Sequence, residues 1–197
     1  MKRQLNRKQT KERLLSEGLS HFIRLGYHGT GIQEIVVAAG LPKGSFYTYF
    51  ESKEAFGGAV LDSFVEQGQQ KFKAAFAQTD HPLEGFRRFF ATLTEGLVQS
   101  DFQAGCLLGN LANELGSQAE QVTPHLERGL DTMAGLFAER LALAQAAGLV
   151  RLDLPPEALG DLLLNGWEGA LIRAKAKRST APLDQFVTLF FDQLLPV

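Results

Sequence analysis

Apolar residues recur at spacings of three and four almost from end to end of this chain, and that period commits it to helices. Leu15, Leu19, Phe22 and Ile23 form one face of a first helix that stops at Gly26. Ile32, Ile35, Val36 and Ala39 form a very short second helix ending at Gly40, and a third begins near Pro42, a residue suited to a helix's first turn. Ser52 is the expected N-cap of a fourth helix, which runs through Phe56, Val60, Phe64, Phe72 and Phe76 until Asp80, His81 and Pro82 break it. A fifth helix covers Pro82 to Gln99, a sixth about Gly105 to Leu115, and a seventh carries Leu126, Leu130, Met133, Phe137 and Leu141 before Gly148. The eighth spans about Pro156 to Lys177 and the ninth about Pro182 to Leu194. Alternating β-branched runs never exceed a few residues. The expected fold class is all-α with about nine helices, arranged as a three-helix part over 1–53 and a helical body over 54–197.

Composition narrows the function classes. A chain of 197 residues makes one ordinary domain or two small ones sharing a core. Its single cysteine, Cys106, excludes an internal disulfide, and with no long apolar run and no signal-peptide pattern at the start the expected home is the cytoplasm, off the membrane. His21, His28, His81 and His125 are scattered, without HExxH or zinc-like spacing, and there is no GxSxG elbow, P-loop or dinucleotide fingerprint. Glu114 with Glu120, and Asp161 with Glu168, read as solvated charges. No enzyme, metal site or cofactor is expected. Charge is unevenly spread: residues 1–53 carry nine Lys/Arg against four Asp/Glu, and the remainder eleven against eighteen. A basic head on an acidic body points to a polyanion partner.

The segment from Gly26 to Lys53, GYHGTGIQEIVVAAGLPKGSFYTYFESK, carries the most information. It reads as helix, glycine turn, helix, with Gly40 supplying the positive φ of a sharp corner. The third helix exposes Lys43, Ser45, Tyr47, Thr48 and Tyr49, while Phe46 and Phe50, four apart, face the core. Gly44 leaves room for a sugar-phosphate strand. Two helices meeting across such a turn place the second in a DNA major groove. Lys2, Arg3, Arg7 and Lys8 form either a basic arm to the DNA or a disordered tail.

These residues resemble the TetR family of transcriptional repressors. The resemblance rests on Phe22, Gly26-Tyr27, Thr30, Ala39-Gly40, Lys43-Gly44-Ser45-Phe46-Tyr47, Tyr49-Phe50 and Ser52-Lys53-Glu54, within about the first 55 residues. It implies that Thr30 caps the second helix and touches a phosphate, and that Lys43 reaches a phosphate or base edge. It further implies that Gly44, Ser45, Tyr47 and Thr48 face the groove, and that Tyr49 and Lys53 hold the DNA backbone. Two positions depart from the family pattern: Pro42 stands where many relatives have Ser or Thr, and Thr48 where His or Asn is frequent.

For the body, helices eight and nine carry more apolar surface than one buried stripe needs, and Gly166, Gly169 and Ala170 permit close helix approach. In relatives the last two helices build a homodimer, which two operator half-sites also demand. Cys106 lies in QAGCLLGNLANELG at the expected start of helix six, where free backbone N–H groups favour a thiolate. That segment and PKGSFYTYFESKEAFG resemble an N-ethylmaleimide-responsive branch of the family, which implies sensing through Cys106, with Lys175 a candidate cation or amine partner. The alternative for Cys106 is a small buried hydrophobe. The expected function is a dimeric regulator, most simply a repressor, on a near-palindromic double-stranded DNA operator. Release would come from a small apolar or electrophilic inducer or from modification of Cys106. The alternatives are a noncovalent sensor of apolar ligands in which Cys106 is merely structural, and a helical protein-binding adaptor.

Overall fold

The computed structural model describes residues 2–116 and 119–196, with side chains from residue 7 onward. The side chains of Lys2 and Arg3, expected in the basic arm, lie outside the described residues. The elements are α1 (Lys2–Leu25), α2 (Ile32–Ala38), a single 3₁₀ turn (Phe46–Thr48), α3 (Lys53–Phe76), α4 (Pro82–Gln99), α5 (Leu107–Leu115), α6 (Thr123–Ala146), α7 (Pro156–Lys177) and α8 (Ala181–Leu189), closed by a π-helical turn at Phe190–Leu194. No strand occurs among the described residues.

The class is all-α as expected, but there are eight α-helices among the described residues and not nine. The expected third helix is the 3₁₀ turn. Pro42 has no N–H to give, Gly44 is a poor helix former, and the stretch is too short to nucleate α-helix by itself. The chain instead makes three-residue steps, Ser45 N–H to Pro42 O (2.9 Å), Thr48 N–H to Ser45 O (3.1 Å) and Tyr49 N–H to Phe46 O (2.9 Å). Helices eight and nine of the sequence reading are therefore α7 and α8.

The chain divides into two compact units, Met1–Glu66 with Cys106–Gly129, and Gln67–Gly105 with Leu130–Val197. In the first, Phe22, Phe46 and Phe56 are essentially without solvent. Phe56 is the hub: its ring centroid lies 5.9 Å from Phe22, 5.2 Å from Phe46 and 4.8 Å from Phe50. Edge-to-face pairs of this kind add about 0.5–1.5 kcal/mol each beyond area burial. Gly18 on α1 makes the arrangement possible, since a Cβ there would sit 2.3 Å from Phe56 Cζ. Ser52 caps α3 as expected, its Oγ accepting from Ala55 N–H at 2.9 Å.

The second unit has its own aromatic core. Phe72, Phe86, Phe89 and Phe137 interlock at centroid distances of 5.2–6.0 Å. Trp167 of α7, the only tryptophan, lies 4.5 Å from Phe90. α6 and α7 meet at Gly160, where a Cβ would be 2.6 Å from Ala134 O. The glycines read as permitting close approach differ in what they do. Gly166 faces Phe186 of α8, with only 2.3 Å for a Cβ, and Ala170 is buried, whereas Gly169 opens onto free space. Asp101 and Phe102, just after α4, hold left-handed backbone (φ 54° and 60°), as does Arg178 (φ 50°) at the end of α7. An ion pair between Asp101 and Arg178 ties those two bends together.

Candidate nucleic-acid interface

The interface is assembled around the corner between α2 and the 3₁₀ turn. α2 buries Ile35 and Val36 and ends in a double bond: Gly40 N–H to Val37 O at 2.9 Å and Leu41 N–H to Val36 O at 3.0 Å. Both bonds require the left-handed backbone of Gly40 (φ 64°), a conformation that costs a residue with a Cβ. Arg13 of α1 adds a guanidinium hydrogen bond to Ala39 O, placing positive charge at the negative end of α2.

Beyond the corner the chain alternates between anchor and display. Phe46 and Phe50 are buried. Lys43, Gly44, Tyr47 and Thr48 are exposed, and Ser45 and Tyr49 are half-buried. Tyr47 is 67% exposed although its ring meets Phe46 edge-on at 5.4 Å, so the buried ring fixes the base of a side chain whose hydroxyl end is free to reach outward. Nothing lies within 4 Å of a Cβ on Gly44. Ser45 Oγ donates to Pro42 O at 2.7 Å and keeps acceptor capacity.

α1 contributes more than a basic tail. Its helix runs back to Lys2, and Arg7, Lys8 and Lys11 line one shallow groove with Tyr49. Arg7 donates to Thr48 O at 3.4 Å, and the Lys11 ammonium stands 5.5 Å from the Phe50 ring centroid. Lys11 and Arg13 were not among the residues singled out from the sequence. Spacing along a helix gives no hint that Lys11 meets Phe50 and Arg13 meets Ala39, far along the chain.

Two expected site residues turn inward. Thr30 is not the cap of α2: the N-cap is Gly31, whose N–H is met by the Glu34 carboxylate at 3.2 Å. Thr30 is buried, and its hydroxyl donates to Gly26 O at 2.7 Å, so it braces the turn after α1. Lys53 is also engaged internally, donating to Tyr27 O at 2.7 Å with its ammonium 4.4 Å from the Tyr27 ring centroid. Burial pushes the Lys53 pKa below the ordinary lysine value, against the opposing pull of Glu114 and Glu34.

Glu114 departs furthest from the sequence reading. It is half-buried, and its carboxylate accepts from Tyr27 N–H at 2.9 Å and His28 N–H at 2.6 Å. It is not a solvated charge. Tyr27 itself is pushed up to about 12, first by burial and then by Glu54. The unfolded chain ionises its tyrosines near pH 10. The stability contributed by keeping Tyr27 neutral is therefore intact below that pH and falls away as the pH climbs to about 12. In a spectrophotometric titration of the folded protein, Tyr27 forms phenolate only near pH 12; the loss of that late step in absorbance would contradict this.

Cys106 is half-buried and is the N-cap of α5, its carbonyl accepting the first helical bond from Asn110 N–H at 3.1 Å. Lys175, on α7, lies beside Gly105, with Nζ 3.5 Å from where a Cβ there would stand. No described helix is long and apolar enough to cross a membrane.

A buried aromatic anchor, a glycine corner and an exposed Lys-Gly-Tyr-Thr face define a helix-turn-helix DNA-binding regulator. The family model for the N-terminal part, "Bacterial regulatory proteins, tetR family", matches residues 14–60, and that for "Tetracyclin repressor-like, C-terminal domain" matches residues 82–190. The chain is 38% identical over 191 residues to the HTH-type transcriptional repressor DhaR of Mycobacterium sp. strain GP1, covering 96% of this chain and 94% of that one. The crystal structure of a regulatory protein TetR from Rhodobacter sphaeroides superposes with a TM-score of 0.85 at 35% identity, covering 92% of this chain and 96% of that one. The reduced form of Escherichia coli NemR gives 0.81 at 27%, covering 95% and 98%. The chain belongs to the TetR family of transcriptional regulators, proteins that bind DNA and are not enzymes.

Proposed function

We propose that two copies of this chain bind a near-palindromic double-stranded operator and repress transcription, and that a small apolar or electrophilic inducer acting on the body releases them. Residues 1–53 read the DNA and residues 54–197 receive the signal and pair the subunits, in the cytoplasm. The observation that carries the reading is the display built on Phe46 and Phe50: Lys43, Gly44, Ser45, Tyr47 and Thr48 toward the groove, and Tyr49 with the α1 cations toward phosphates. Lys53 serves the same interface from behind, through Tyr27. Phosphate contacts set register, while the few base-edge contacts set sequence.

Pairing through α7 and α8 is supported by an outward stripe at alternating spacings of four and three. Ala158, Leu162, Asn165, Gly169, Ile172 and Ala176 are all exposed on α7, and Leu189 is exposed on α8. Ile172 is 62% exposed, which is unusual for a large apolar side chain on a helix with no partner. Gly169 in the middle of the stripe admits a second helix at short range.

Reception of an electrophile at Cys106 is supported by its half-buried place at the start of α5. Alkylation there adds bulk to the residue that starts the helix. The test is operator binding by the purified protein, titrated with a quinone, beside Cys106→Ser. The expected result is that the quinone releases the wild type and leaves the serine variant bound. Should both stay bound, Cys106 is a packing residue and the inducer is a noncovalent apolar ligand of the body.

A further inference from the structure

We propose that Glu114 is a positioning residue for DNA binding, a clamp by which the last turn of α5 sets the turn that carries the reading segment. The inference rests on the DNA-binding reading above and adds a residue and a connection to it.

The clamp is built from both sides of one peptide stretch. Glu114 Oε2 accepts from Tyr27 N–H at 2.9 Å and Oε1 from His28 N–H at 2.6 Å, so both carboxylate oxygens are used on consecutive amides. On the other side Lys53 Nζ donates to Tyr27 O at 2.7 Å. Tyr27 is thus held by its N–H from α5 and by its C=O from the first residue of α3. These are the entrance and the exit of the helix-turn-helix: residues 27 and 28 lead into α2, and Lys53 follows directly on the reading segment.

Two features argue that the carboxylate is placed for this purpose. The C-terminus of α1 is the negative end of its dipole, and a carboxylate beside it is unfavourable unless something answers it. Here two N–H groups and the nearby Lys53 ammonium do so. Gly26 also makes room: its φ is 72°, and a Cβ on it would stand 2.5 Å from Glu114 Oε2. Any side chain at 26 would push the clamp open. A charge-assisted pair of this kind has a defined direction and length, so a displacement of α5 along its axis pulls on the turn after α1. At its other end α5 starts at Cys106.

The experiment compares wild type and Glu114→Gln by operator titration at several salt concentrations well below the melting temperature, with backbone amide exchange followed at Tyr27 and His28. Glutamine retains the shape but offers one acceptor oxygen and an NH₂ group that cannot accept. Affinity is expected to fall at least tenfold, with a shallower dependence on salt because phosphate contacts are lost with register, and exchange at the two amides should accelerate. A merely structural role would lower the melting temperature and leave affinity and salt slope of the folded protein unchanged; that result overturns the proposal. If the variant does not fold, the wild type decides: Tyr27 and His28 amides exchanging at the rate of open chain would overturn the clamp, and protected amides support it. Failure of the wild type itself to bind any operator would be a failure of the DNA-binding reading, recognisable as such because the amide exchange is measured without DNA.

Discussion

Tyr47→Ala and Lys43→Ala are each expected to remove most operator binding while leaving the proposed dimer folded and paired. Tyr47 is 67% exposed and its ring meets Phe46 edge-on, so its loss costs the fold about 0.5–1.5 kcal/mol, the value of that pair, and leaves the rest of the core in place. In the proposed complex it is a specific contact, and a good base-edge contact is worth about 1–3 kcal/mol, or roughly five- to 150-fold in affinity. Lys43 is expected to act through charge. Its removal is expected to weaken binding on all sequences and to reduce the slope of log K against log salt by about one per subunit. Anisotropy titrations on labelled operator across a range of salt measure both effects. Undiminished binding by either variant, or dissociation of the variant into monomers, would remove the residue from the role given to it.

The second large effect is on stability. Phe46→Ala is expected to cost about 3–5 kcal/mol. The side chain is fully buried and its ring meets Tyr47, Phe50 and Phe56 at 5.2–5.6 Å. A loss of that size is a large part of the whole stability of an ordinary domain. The proposed reading face hangs on that ring, so operator binding is expected to go with it. Urea unfolding followed by circular dichroism gives the number. A change under about 1 kcal/mol would mean that the 42–50 segment is held by its backbone turns and not by the aromatic cluster.

What the sequence made legible was chemistry that acts locally. Pro82 and Pro156 start α4 and α7, Ser52 caps α3 and Gly40 turns the corner, all as expected, because a missing N–H, a short hydroxyl or an absent Cβ constrains its own few bonds wherever it stands. The failures belong to choices made by distant neighbours. Thr30 is the exception, a local contest: Glu34 serves the start of α2 while the Thr30 hydroxyl turns back to Gly26 O, four residues earlier. Gly166 and Gly169 look alike in sequence, yet which of them faces outward depends on the rotation of α7 about its axis, which Phe186 helps to set. Glu114 was the least legible residue. Its partners lie more than eighty positions earlier and are backbone amides, which carry no signature of residue type. The aromatic period, for its part, identified Phe46 and Phe50 as anchors but not the tighter 3₁₀ geometry that their packing on Phe56 accommodates.

The tryptophan stacked near Phe90 gives the chain an optical address. Trp167 is 5% exposed, sits wholly within the second unit and has no counterpart elsewhere in the sequence. Its emission under selective excitation is therefore a signal from one place: the meeting of α4 and α7 in the body. Fluorescence and circular dichroism recorded on one unfolding sample consequently report different populations, the former following the second unit and the latter all helices together. Where the two curves part, the halves melt at different points, and no label has been needed to learn it.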